Sequence, residues 1–340
     1  MNIKIKNGLT CLISLAFITL IVGCEVNNLS NHSEKDPKDL RWQTIKAQGK
    51  VVARHEAGLI SIDNDIYLLG GRRINPVNVF NVDTKTWLTK AKSPIEMHHF
   101  QPVIFNNKIY IVGAMTGKYP AETPLENVMI YDPTTDLWSK GDIIPENRRR
   151  GGAGATVFNG KIYISGGITD GHRTGTVQWF DEYNPTTGKW RVLNNMPNGR
   201  DHFQSTLVDN KLYAAGGRTT SQITNHVFDL VITSLDVYDF DTDTWSTQKM
   251  PLPTGRAGNT TATVNKQVWV IGGESMTDIK AHNDVEIFDT TTQQWLTGPA
   301  LNRGRHGTGA VLINHHLWTA SGCGNRGGSP ELHSIEKLAL

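Results

Sequence analysis

Apolar residues in this chain are gathered into short runs that stop on small residues. "IYLLGG" (66–71), "IYIVGA" (109–114), "IYISGG" (162–167), "LYAAGG" (212–217), "VWVIGG" (268–273) and "LWTASG" (317–322) share one form. Measured from Gly70, Gly113, Gly166, Gly216, Gly272 and Ser321, the units are 43 to 56 positions apart. A short apolar run bounded by turn residues reads as a buried strand. After each of the first five runs comes an aromatic residue and, seven positions later, a tryptophan: Phe80/Trp87, Tyr131/Trp138, Tyr183/Trp190, Tyr238/Trp245 and Phe288/Trp295. Between the two stand sequences such as "DPTTD", "NPTTG" and "DFDTD", suited to a tight reversal. The pattern predicts many short strands in a repeating unit.

A repeat near 50 residues that carries a double glycine, a spaced aromatic and a tryptophan resembles the kelch family. The resemblance covers residues 40–340. It implies an all-β, six-bladed β-propeller, with four antiparallel strands per blade around a central channel. There is also a physical reason for the repeat: one four-stranded sheet cannot cover both its faces, and stacked blades cover each other. The sixth unit ends with three strands' worth of sequence and no tryptophan. "DLRWQTIKAQG" (39–49) places Trp42 45 positions before Trp87. This N-terminal segment is expected to be the outer strand of blade 6, closing the ring and removing free edges; taken alone, 40–48 also suits a short helix.

The N-terminus departs from this pattern. Lys4 and Lys6 precede a fourteen-residue, nearly all apolar stretch (9–22), which is too short for a membrane span of ~20 residues. "IVGC" (21–24) resembles the bacterial lipobox, which implies a signal peptide over 1–23, a lipidated Cys24 and an outer-membrane location on the periplasmic or surface face. Polar residues 24–39 read as a flexible tether. Removal of the signal peptide would leave Cys323 as the one unmodified cysteine, so no intrachain disulfide is expected. It would also lower Lys+Arg from 34 to 32, matching 32 Asp+Glu, so the mature chain is formally neutral. Export argues against a nucleic-acid partner, and none is expected.

Charge is nonetheless unevenly placed. Sixteen positions before Gly70, Gly113, Gly166, Gly216, Gly272 and Ser321 stand Arg54, Met97, Arg150, Arg200, Arg256 and Arg305. The position two further on holds Glu56, His99, Gly152, His202, Gly258 and Gly307. In the kelch fold these positions surround one mouth of the channel, together with the loops after Gly-Gly. Thirteen of the fifteen arginines fall in these two sets of loops. Arginine offers a planar fork that matches carboxylate, sulfate or phosphate. An arginine opening the inner strand also suits a structural role, bonding loop carbonyls. The ligand-binding candidates are Arg54, Arg150, Arg200, Arg256 and Arg305 from the column, Arg72 and Arg218 after Gly-Gly, and His99 and His202. Arg149, in "RRRGGAGA" (148–155), is the arginine expected to meet a ligand's negative charge first.

These readings point to a lipid-tethered module that binds an anionic ligand, such as an acidic or sulfated glycan, at an Arg/His-lined mouth. The alternative is an enzyme on an acidic sugar. It would resemble either the sialic acid mutarotase or a uronate β-elimination lyase, with His99, His202, Glu274 and Tyr119 as catalytic candidates. A third reading is a scaffold for another envelope protein. A resemblance to galactose oxidase fails for want of its tyrosine, histidine and cysteine set. No cofactor and no metal are expected: His98-His99 and His315-His316 are adjacent pairs, and neighbouring strand residues point to opposite faces. "GGAGA" leads into a strand rather than a helix and is not a dinucleotide loop.

Overall fold

The computed structural model describes residues 40–340; the predicted signal peptide, Cys24 and the tether lie outside the described residues. Six four-stranded antiparallel units form the blades. Blade 1 is built from Ala57–Ile62, Asp65–Gly70, Pro76–Asn81 and Thr86–Lys92. Blade 2 has Pro102–Phe105, Lys108–Ile111, Asn127–Asp132 and Leu137–Ile143, and blades 3 to 5 repeat the order. In blade 6 the strands Ala310–Ile313, His316–Ala320 and Ile335–Ala339 are completed by Trp42–Thr44, with Trp42 opposite Leu338. The ring thus closes through the N-terminal segment, as a strand and not a helix. Gln48–Gly49 then pairs in parallel with Thr86 and Trp87 of blade 1, a second clasp across the closure that the sequence pattern did not suggest. Among the described residues the one helical turn is a 3-10 turn at Glu146–Arg148, and no helix is long and apolar enough to cross a membrane.

The spaced aromatics explain why the units stack. Each aromatic faces its tryptophan directly across the two outer strands, as Phe80 faces Trp87 and Tyr183 faces Trp190, with ring centroids 5.1 and 4.7 Å apart. Such ring pairs add about 0.5–1.5 kcal/mol beyond the area they bury. Six apolar clusters fill the six junctions between neighbouring blades; Trp87, for example, packs with Trp318 and Val311 of blade 6. Several indoles also tie back to the preceding blade: Trp42, Trp245 and Trp295 donate to the carbonyls of Pro299, Asn194 and Met250.

At the axis the backbone forms a ring of its own. His99 N–H donates to Glu56 O, Gly152 to His99, His202 to Gly152, Gly258 to His202, Gly307 to Gly258, and Ala57 back to Gly307, at 2.5–3.1 Å. This ring requires a left-handed residue at the start of each inner strand: Glu56, His99, Gly152, His202, Gly258 and Gly307 have φ between 53° and 63°. Glycine adopts that conformation without strain, whereas other residues do so at a cost. Three of the six positions are not glycine, and these three carry Glu56, His99 and His202.

Candidate functional site

The column arginines do not face the mouth. Arg54, Arg150, Arg200, Arg256 and Arg305 are 0–2% exposed. Each donates to the carbonyl sixteen residues ahead, that of Gly70, Gly166, Gly216, Gly272 or Ser321. Four of them also pair with an acid on the third strand of their own blade: Arg150 with Asp181, Arg200 with Asp236, Arg256 with Glu286 and Arg305 with Glu336, at 2.5–2.8 Å. Arg54 meets Asn78 at the equivalent place. The expectation that these five bind a ligand is corrected: they are staples that hold the inner strand to the rest of its blade. Arg149, expected to meet a ligand's negative charge first, is placed away from the mouth. It lies in a separate groove with Glu126, Glu146 and Trp179, and its Nε donates to Ile144 O.

The mouth itself is a cavity of about 330 Å3. Arg72, Tyr119, Arg218 and Glu274, all singled out from the sequence, line it together with Glu56, His172, Phe228 and His306. The mouth is less basic than the count of arginines suggested. Arg72 donates to Glu122 at 2.6 Å and Arg218 to Glu274 at 2.6 Å. Arg73 pairs with Glu331, and Arg326 bonds to the carbonyls of Met276 and Asp278. His306 retains a proton. Burial opposes its charge, but Glu274, a hydrogen bond to Cys323 and Glu56 outweigh burial and raise it to about 9. Glu274 Oε2 also accepts from the Gly327 N–H. Burial opposes the charge of Glu56 as well, yet charged His306 and Arg72 beside it hold it below the usual carboxylate range, so it is a carboxylate.

At the floor three histidines from different parts of the chain converge. His99 and His202 open the inner strands of blades 2 and 4, and His172 comes from the hairpin between Ile168–Asp170 and Thr174–Thr176 in blade 3. Their ring centroids form a triangle with sides of 5.0, 4.8 and 4.8 Å. One nitrogen from each lies within 4.8 Å of the others. Every ring is buried and gripped from behind. His202 Nδ1 is 2.5 Å from Asp201, which also accepts from Thr220 N and Oγ1 and from the Thr176 hydroxyl. His172 Nδ1 is 3.0 Å from Glu122 Oε1, while Glu122 Oε2 takes the His172 amide. A side chain on Gly171 would collide with that carboxylate, so glycine is needed there for the approach. His99 Nδ1 is 2.6 Å from His98 Nδ1.

The expectation of no metal did not foresee this cluster. It rested on strand alternation within adjacent pairs, but the left-handed φ of His99 breaks that alternation, and the cluster is assembled across blades. Sequence reading made candidates of His99 and His202 but not of His172, Glu122, Asp201 or His306. The available signal was the column in which Glu56, His99 and His202 stand where other blades have glycine.

Comparison with known proteins agrees with this architecture. The chain matches the model of the KLHDC2/KLHL20/DRC7 Kelch-repeats domain over residues 19–217 and again over 101–322. It therefore belongs to the kelch-repeat β-propeller family. It is 28% identical to the Kelch-like protein terF of Aspergillus terreus, over 88% of this chain and 67% of that protein. It is 30% identical to Kelch-like protein 40 of Xenopus laevis over 56% of this chain, and 30% identical to Kelch-like protein 15 of Danio rerio over 63%. The matched regions span 30% and 38% of those two relatives, which are longer proteins. The solved structure of YjhT superposes with a TM-score of 0.71 at 16% identity, over 85% of this chain and 95% of that one. That likeness concerns the fold.

Proposed function

We propose that this chain is an exported, lipid-anchored kelch propeller whose mouth cavity binds a small molecule carrying a carboxylate or comparable anion, such as an acidic sugar or the end of a sulfated glycan. The observation that carries the reading is the convergence of Arg72, Arg218 and charged His306 on one cavity of about 330 Å3. Arg72 donates to Glu122 through one nitrogen and remains 20% exposed, so its fork is still presented to the cavity. Tyr119 and Phe228 add flat apolar wall of the kind a sugar ring or other planar body packs on.

Calorimetric titration with uronates, sialic acid and sulfated disaccharides, each beside its neutral counterpart, tests this reading. Binding of the acids alone, weakened by salt and reduced about tenfold or more by Arg72→Gln, supports it. Equal binding of neutral sugars, or an unaffected Arg72→Gln, contradicts it. The anchor is tested separately: Cys24→Ser should move the protein from the membrane to the soluble fraction.

A second reading, catalysis on an acidic sugar, draws on the carboxylate–imidazole pairs beside these cations, Asp201–His202 and Glu274–His306. Acid/base chemistry needs such pairs near the substrate's charge. Faster anomer exchange by NMR, or new absorbance from an unsaturated uronate, would support it; neither signal across the acids that bind would exclude it.

A further inference from the structure

We infer that His99, His172 and His202 form a binding site for one divalent first-row transition-metal ion, of the zinc, copper, iron or nickel type, through their three Nε2 atoms. The inference stands independently of the anionic-ligand reading.

Proton placement is its first support. A neutral imidazole has one N–H and one lone pair. Carboxylates accept only, so His202 Nδ1–H must donate to Asp201 and His172 Nδ1–H to Glu122. His98 is fully buried, and its Nε2 can only donate to the Gly117 carbonyl. As a neutral ring it therefore accepts at Nδ1, and His99 Nδ1–H donates to it at 2.6 Å. All three rings are left with bare lone pairs on Nε2.

Those lone pairs have no proton to share. His202 Nε2 and His172 Nε2 face each other at 3.1 Å, both as acceptors. His99 Nε2 is buried without a hydrogen-bond partner. A cation among the three nitrogens satisfies all of them at once. The 3.1 Å separation also suits shared coordination: Zn–N bonds of ~2.0–2.1 Å in a tetrahedron put neighbouring nitrogens about 3.3 Å apart.

The surroundings match what metal-bound histidines require. Each has its second nitrogen fixed by a carboxylate or another imidazole, which sets the tautomer and raises ligand basicity. Three imidazoles suit zinc, copper, iron or nickel, and not the oxygen-seeking magnesium or calcium. Glu56 Oε2, 3.3 Å from His99 Nε2, is placed to take a fourth position or to hold a metal-bound water. Glu56 and His172 also line the mouth cavity, so a ligand entering it would meet the ion. Histidine is retained at two strained left-handed positions where blades 3, 5 and 6 have glycine, and this site gives that strain a purpose.

The test is metal counting on the full chain. The protein is stripped with a chelator and titrated separately with Zn2+, Cu2+, Ni2+ and, for its visible spectrum, Co2+, then gel-filtered and its metal content measured by mass spectrometry. One tightly held ion per chain is expected, with intense visible absorption for Co2+. His99→Gly and His202→Gly keep the fold, because glycine already serves at this position in three blades; each should weaken binding beyond the ~10–100-fold that Asp201→Asn costs by loosening the ring's support. His172→Gln, on a hairpin outside the blade sheets, should do the same. His226→Ala, at a partly exposed histidine that pairs with Asp229 and lies outside the triad, should bind as the parent does. Failure of the parent protein to retain any of these ions overturns the inference. So does a folded His99→Gly/His202→Gly protein that still holds one ion per chain.

Discussion

His306 sits between two carboxylates, with Nε2 3.4 Å from Glu274 and Nδ1 3.9 Å from Glu56, and its Nε2 also faces the carbonyls of Asn325 and Gly327. Its proton is held to about 9 against an unfolded value of about 6.5. A raised value stabilises the fold fully below the unfolded value, and the stabilisation is lost as pH climbs through the folded one. The unfolding free energy from urea denaturation should therefore fall between pH ~6.5 and ~9, by on the order of 3 kcal/mol from this group. His306→Gln should flatten that part of the profile; a parent-like fall in the variant would show that the charge lies elsewhere. At this scale the sequence was half legible. The column Glu56, His99, Gly152, His202, Gly258, Gly307 was visible as a column. That its members are left-handed, and that any non-glycine there bears strain, became apparent only from the backbone. His172 and Glu122 lie on hairpin loops whose path no repeat dictates.

Each blade is stapled by one long-range pair, and blade 2 shows what the staple is for. Where the other blades have arginine, blade 2 has Met97; where they have Asn78, Asp181, Asp236, Glu286 and Glu336, it has Met129. The two methionines pack in one buried cluster. Ion pair and apolar pair are thus alternative solutions to one structural problem, in keeping with the near-equivalence of buried ion pairs and well-packed apolar replacements. Arg200→Met alone should cost about 3–5 kcal/mol, because it leaves Asp236 buried beside only Asn198 and Thr247. Arg200→Met with Asp236→Met should recover most of that loss in urea denaturation. If the double variant is as unstable as the single one, the staple account is wrong. The covariation of the two columns was present in the sequence and would have separated structural from ligand-facing arginines. Aligning on the double glycine alone hid it, since the acids sit two residues before the spaced aromatic and register with that residue instead.

The whole ring depends on a three-residue strand, Trp42–Thr44, brought from the far end of the chain. Trp42 is buried and its indole donates to Pro299 across the junction of blades 5 and 6. Trp42→Ala should cost about 3–5 kcal/mol and expose the edge of Ile335–Ala339. A lowered thermal midpoint with greater aggregation is the expected outcome, and an unchanged midpoint would mean that the ring closes without this strand. Blade number, strand order and the closing strand were all legible, because repeat spacing and stacking geometry constrain each other. The site was legible only in part: Arg72, Arg218, Tyr119, Glu274, His99 and His202 were singled out, but their grouping with His172 and His306 was not, because it is assembled across blades around an axis that no local pattern marks. The central claim is that the histidine triad at the floor of the mouth holds a metal ion. Anomalous diffraction at the zinc edge, from crystals of the protein loaded with equimolar Zn2+, tests it most directly. The account expects one strong peak ~2.0–2.1 Å from the Nε2 atoms of His99, His172 and His202. Zinc bound elsewhere, with no peak among those three rings, would contradict it.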